Sequence, residues 1–177
     1  MKRIITLVVV GVLLLIGFIF GLNSCATVPT GHTGVVTTFG KVEDFTLSSG
    51  LHVKSPFQKV IMMDNRTQKV YLEGLAAFSK DIQQVDVNMS VNYCIDQSVA
   101  QDLYRTIGIN YYETVLYPRI VEDTKAIFTS YTASNLVANR GVLSGLIHDK
   151  LAADVASYGI QIVAVNIENI DFTDAYT

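Results

Sequence analysis

Apolar and polar positions along the chain follow three regimes. In the first, Ile4–Leu22, nineteen residues run without a charge, and Thr6 is the one polar side chain. As a helix rising about 1.5 Å per residue, the run reaches roughly 28 Å, close to the thickness of a bilayer's hydrocarbon core. Ile4, Val10, Leu14, Phe18 and Leu22 mark the expected membrane anchor. Lys2 and Arg3 precede the run and the next basic residue is Lys41. The positive-inside rule therefore keeps the N-terminus in the cytoplasm and sends the remainder across, to the periplasmic side. Gly17 and Gly21 form a GxxxG pair that would let two such helices approach closely. Membrane helices are rich in glycine in any case, so this packing role is the weaker expectation.

The second regime has a period of two. From Gln84 to Asp96, Val85, Val87, Met89, Val91, Tyr93 and Ile95 alternate strictly with polar or small residues. Alternation this long predicts a strand with one buried and one wet face. Shorter strands are expected at 34–39, 51–54, 60–64 and 68–72. Gly40, Ser48-Ser49-Gly50, Ser55-Pro56 and Gly74 punctuate them.

The third regime is helical. Asp96 is placed to cap a short helix carrying Val99, Leu103 and Ile107 on one face, ending at Gly108. Asn110-Tyr111-Tyr112-Glu113 resembles a capping box opening the next helix. Pro118 falls inside that helix and predicts a break, with the second half carrying Ile120, Thr124, Ile127 and Tyr131 on one face. A third helix from about Thr132 presents Leu143, Ile147, Leu151 and Val155 at i, i+4 spacing and stops before Gly159. A last strand spans 160–172. Val163, Val165 and Ile167 share one parity, and Ile170 and Phe172 the other, so a bulge is expected near Glu168-Asn169. The expected fold class is α+β: a membrane anchor over 1–25, a β-rich part over 26–96 and a helix-and-strand part over 97–177.

Composition narrows the function classes. Mean hydropathy is +0.35, and beyond Lys2 and Arg3 eleven basic residues face sixteen acidic ones. A net-acidic remainder lacks the basic face that phosphate binding requires, so nucleic acid is not an expected partner. The two cysteines, Cys25 and Cys94, lie 69 positions apart. Cys94 falls in the long strand and is expected to pack there rather than pair. Leu22-Asn23-Ser24-Cys25 resembles the lipobox of bacterial lipoproteins, except that Asn23 stands where a small or β-branched residue is usual. Cys25 is therefore a possible lipidation site, and the chain alternatively a lipid-anchored binding module on the outer face. Against this, the apolar run exceeds the 7–15 residues typical of a cleaved signal.

No constellation of catalytic residues emerges. His32, His52 and His148 lack paired spacing with Cys or carboxylates, so zinc is not expected. Ser144, in Gly141-Val142-Leu143-Ser144-Gly145, is off-centre for a nucleophile elbow and falls mid-helix. Walker A and GxGxxG patterns do not occur. Glu122-Asp123 reads as a solvated helix face. Tyr111, Tyr112, Tyr117 and Tyr131 gather on the helices, where packing is favoured over a subunit interface. The chain is expected to be neither an enzyme nor a cofactor binder.

The ordered motifs carry a likeness. Val28-Pro29-Thr30-Gly31-His32-Thr33-Gly34, Phe39-Gly40-Lys41-Val42, Gly50-Leu51-His52-Val53-Lys54-Ser55-Pro56-Phe57 and Asp64-Asn65-Arg66-Thr67-Gln68 resemble successive signatures of the SPFH domain family of stomatins, prohibitins and flotillins. Val91-Asn92-Tyr93, Tyr117-Pro118, Tyr131-Thr132-Ala133, Arg140 and Tyr158-Gly159-Ile160 continue the likeness, whose balance is most similar to bacterial prohibitin-type members. The resemblance implies SPFH1 and SPFH2 subdomains lying on the membrane. It also implies assembly, with itself or with related SPFH proteins, into structures that organise a membrane microdomain, often around an AAA-type membrane protease. No catalytic residues come with the family. Leu51 and Phe57 become candidates to touch lipid headgroups, although Phe57 equally suits a core. Members usually continue from the last strand into a coiled coil. This sequence stops at Thr177, so that element is expected to be absent or truncated here.

Overall fold

A computed structural model describes residues 24–172 and, ahead of them, Gly11 alone. The expected anchor and its glycine pair lie outside the described residues. Among the described residues, no helix is long and apolar enough to cross a membrane. The fold is mixed α/β, and contacts divide it into two compact units, one reaching to Asp64 and one beginning at Asn65.

From Ser24 onward the first unit is built of strands and turns. Strand β1 (Cys25–Val28) pairs antiparallel with β4 (Gly50–Val53). Strands β2 (His32–Thr38), β3 (Lys41–Leu47) and β5 (Gln58–Asp64) form a sheet in the order β3-β2-β5. Val35 and Val36 on the central β2 are both fully buried, and Val28 and Met63 complete the core. β2 runs unbroken through the core, so its two faces are both covered and its burial does not alternate. Gly34 permits the close packing: a Cβ there would sit 2.8 Å from Val60 Cγ1 and 3.0 Å from Val28 Cγ2. Strands β1 and β3 were not expected. β1 is four residues long, and β3 shows no period-two burial, so neither leaves a pattern to read.

The second unit packs helices against a sheet ordered β6-β7-β8, from β6 (Gln68–Phe78), β7 (Gln84–Ile95) and β8 (Ile160–Phe172). β7 is central, and its six alternating apolar side chains, Val85 to Ile95, are all buried. The sheet explains why the compact units meet at Asp64, ahead of the change of period at Asp96. β7 pairs along its length with β8, which follows the helices in sequence. β8 slips register at Glu168, as expected, and also at Val163. The second slip turns Val163 outward, 51% exposed, away from its expected partners Val165 and Ile167.

The helices are α1 (Ala100–Thr106), α2 (Tyr117–Phe128), α3 (Ala133–Ala138) and α4 (Arg140–Val155). Several expected helix ends differ. Asp96 does not cap α1; its Oδ1 accepts from Ser98 N and Ser98 Oγ, closing a turn before the helix starts at Val99. No capping box forms at Asn110 either. The chain enters as a π-turn (Tyr112–Leu116) that runs directly into α2 with Pro118 in its first turn. There the missing amide of Pro118 is tolerated. The buried face of α2 is Ile120, Asp123, Thr124 and Phe128; Ile120 and Thr124 fall where expected, while Ile127 and Tyr131 do not. α4 buries Leu143, Ile147, Leu151 and Val155 as expected.

Asp123 is therefore no solvated residue. It is fully buried, and Lys150 from α4 reaches it with a hydrogen-bonded ion pair, while also lying 3.4 Å from Asp154. Burial pushes the Asp123 carboxyl above its ordinary range despite the ammonium, and Asp123 holds the Lys150 ammonium charged above the usual lysine range.

Candidate membrane-facing site

The first unit places several apolar side chains in solvent at one end. The hairpin between β2 and β3 turns through Phe39 and Gly40, with φ of 49° and 88°. Two positive φ values in a two-residue hairpin loop define the primed turn that usually carries Asn-Gly. Phenylalanine in the Asn position is strained and its ring is 84% exposed. The ring stacks on Phe57, 55% exposed, with centroids 5.5 Å apart and planes at 28°. Phe57 sits in the β4–β5 loop, which closes through Gln58: its backbone N donates to Ser55 O, its Oε1 accepts from Ser55 N, and its carbonyl accepts from Lys54 Nζ at 2.9 Å. Because Thr38 pairs with Gln58, the hairpin and this loop meet at the same end of the sheet.

A second exposed apolar row lies on β4. Leu51 is 72% exposed and Val53 85%, and in the β1–β4 ladder they stand opposite Thr27 and Cys25. Cross-strand partners share a face, so Cys25, exposed and with a free thiol, lies beside Val53. The β1 pairing also shortens the tether. Ser24 O accepts from Lys54 N at 2.7 Å, so the chain is held beside the end of β4 from Ser24 onward.

Leu51, Phe57 and Cys25 are thus all at the surface. Phe39 and Val53 escaped notice in the sequence. The signal for Phe39 was Phe-Gly standing where a hairpin calls for Asn-Gly, and the signal for Val53 was its parity with Leu51. Four tyrosines of the second unit form a packed cluster that does not include Tyr131: Tyr93 meets Tyr111 edge-on at 6.4 Å and Tyr112 face-on at 6.5 Å, and Tyr117 adjoins Tyr112 at 6.1 Å. Tyr111 is buried and Tyr117 is 43% exposed.

The polar side chains singled out in the sequence are engaged in structure. His52 Nε2 lies 2.7 Å from Ser48 O, His148 Nε2 lies 3.2 Å from Ile162 O, and His32 Nε2 is 3.9 Å from Asp64. Ser144 Oγ accepts from Ile167 N at 3.3 Å. Among the described residues no three His, Cys, Asp or Glu side chains gather as a metal site. Cys94 is half-buried and free, its Sγ 3.8 Å from Gln161 Oε1.

The described residues form a two-unit chain of mixed α/β fold with apolar side chains exposed at one end of its first unit. This chain belongs to the SPFH domain / Band 7 family, whose model matches residues 26–177. Its relatives include the Arabidopsis thaliana protein "Prohibitin-7, mitochondrial", 32% identical over 173 residues, covering 93% of this chain and 62% of that protein. "Prohibitin-6, mitochondrial" of the same plant is 30% identical, covering 98% and 60%. "Prohibitin 1" of Mus musculus is 27% identical, covering 85% and 56%. The chain thus spans less than two thirds of the length of these prohibitins. Proteins of the family are scaffolds rather than enzymes.

Proposed function

We propose that this protein is a membrane-anchored SPFH scaffold. It self-associates, or associates with related SPFH proteins, to organise a membrane microdomain and regulate an AAA-type membrane protease. One observation carries the reading: the family match begins at residue 26, four positions after the charge-free run ends at Leu22. The run fixes the chain in the bilayer with Lys2 and Arg3 on the cytoplasmic side. The first unit then lies against the same membrane, with Leu51, Val53, Phe39 and Phe57 as its contact surface.

Detergent extraction followed by mass photometry tests the scaffold. Assemblies of several copies are expected, and a strictly monomeric species at micromolar concentration would overturn the reading. The exposed, unpaired thiol of Cys25 supports a second reading, a lipoprotein module anchored through that residue. Intact mass of the membrane-extracted chain separates the two. An unprocessed, unmodified chain that stays membrane-bound after Cys25→Ser supports the helical anchor. A chain beginning at an acylated Cys25 supports the lipid anchor.

A further inference from the structure

We infer that the Phe39–Phe57 end of the first unit reads an anionic bilayer surface, its two rings entering the headgroup layer while the exposed Lys41 and Lys59 meet acidic lipid headgroups. The inference rests on the membrane-apposed reading above and names the lipid class it would take.

The turn is the first observation. Phe39 occupies a left-handed position at φ 49° where a short polar residue or glycine is usual, and its ring contributes nothing to the core of Val28, Val35, Val36 and Met63. Strain kept at an exposed position points to function rather than folding. Phe57 stacks on it, so the two rings form one ordered apolar wedge rather than two independent side chains.

The charges are the second observation. Lys41 follows the turn directly and pairs with Thr38, whereas Lys59 pairs with Thr37. Neighbouring strand positions point to opposite faces, so the two exposed lysines flank the wedge from both sides of the sheet. Lys54 opens the loop that carries Phe57 and bonds its Gln58 carbonyl. Asp64, the register partner of His32, lies at the opposite end of the sheet. In a chain with more acidic than basic residues, two exposed lysines around an apolar wedge complement an anionic surface.

Connectivity is the third. Leu22 ends the apolar run two residues before Ser24, which is bonded to Lys54, and Phe57 follows Lys54 by three. Those intervals span at most about 7 Å and 11 Å of chain, so the wedge stays within reach of the surface where the run ends.

The sequence contains no tryptophan, so Phe57→Trp introduces a single reporter. The full chain carrying it is reconstituted into vesicles of brominated phosphatidylcholine, with or without one-third phosphatidylglycerol. The indole should be quenched in both, and severalfold more strongly with phosphatidylglycerol. High salt should remove the excess, as should Lys41→Gln with Lys59→Gln, since each lysine near such a surface contributes roughly fivefold in binding. Phe39→Trp repeats the measurement should the first variant fold poorly. Equal quenching in the two lipids, unchanged by salt or by the lysine changes, would overturn the anionic preference and leave the membrane contact standing. No quenching in either, with the chain still in the vesicles, would overturn the contact itself and point to a protein partner for the wedge. Neither outcome bears on self-association, which mass photometry reads separately.

Discussion

At the scale of single residues, Phe39 sets folding against surface chemistry. Left-handed backbone costs a non-glycine residue about 1–2 kcal/mol, whereas an exposed ring pair returns only about 0.5 kcal/mol. Phe39→Asn should therefore stabilise the first unit by about 0.5–1 kcal/mol, read as a higher midpoint in urea. A loss of stability larger than 1 kcal/mol would show that the stack, not the strain, governs the turn. Asp123 presents the opposite balance. Its Oδ2 finds no hydrogen-bond partner, and Lys150, itself 42% exposed, is its counter-ion. Removing the ammonium with Lys150→Met strands a buried carboxylate and should cost roughly 2–3 kcal/mol at neutral pH. The sign with pH follows from the raised folded-state pKa of Asp123. A group so raised favours the folded state most below its ordinary value of 3.8, and that contribution is lost as pH rises through the folded value. The gap between Lys150→Met and the parent should accordingly narrow as pH falls toward 3.8, because a neutral Asp123 no longer needs its cation. Urea titrations at neutral and acidic pH check this; a gap that widens in acid would contradict it.

At the scale of elements, legibility followed regularity. β7 could be read almost residue by residue, because one period runs unbroken through it, and the same holds for the buried face of α4, although the single helix expected from Thr132 is broken at Asn139 into α3 and α4. What escaped were the places where a period shifts by one. The bulge at Val163 looks in sequence like one more step of alternation. Asp123 stands three residues after Ile120, on the flank of the buried face of α2, and its charge rather than its position hid that burial. The turn from α4 into β8, a 3-10 turn over Ala156–Tyr158 closed by Gly159, illustrates a boundary that local chemistry does fix. Gly159 has φ 74°, and a Cβ there would lie 2.1 Å from Val99 Cγ2. Its carbonyl accepts from Asp96 N at 2.9 Å, tying β8 to the end of β7. Gly159→Ala should cost at least about 2 kcal/mol, combining left-handed strain with overpacking. Adding Val99→Ala should recover part of that loss, with a coupling of about 0.5–3 kcal/mol in a double-mutant cycle. Strict additivity would mean that the clash is relieved by backbone movement instead. The candidate site was the least legible element, since a hairpin residue signals itself only by being the wrong residue for its turn.

At the scale of the whole molecule, the two units differ in how much holds them. The second unit closes a three-stranded sheet under α2 and α4, with buried side chains running from Leu72 to Ile170. Among the described residues, the first unit has a core of four buried apolar side chains, Val28, Val35, Val36 and Met63, while Phe39, Phe45, Leu51, Val53 and Phe57 stay in solvent. A unit that buries so little and exposes so much apolar surface should open more easily than its neighbour. Native-state hydrogen exchange on the full chain in detergent should thus find β2 and β5 amides exchanging through an opening of lower free energy than those of β7. Transfer into phosphatidylglycerol-containing vesicles should raise protection in the first unit and leave β7 unchanged, because a surface that binds the folded form stabilises it by mass action. Equal protection of the two units in detergent would mean that they open as one. A rise confined to β7 on transfer would place the membrane contact on the second unit and remove the basis for the Phe39–Phe57 wedge.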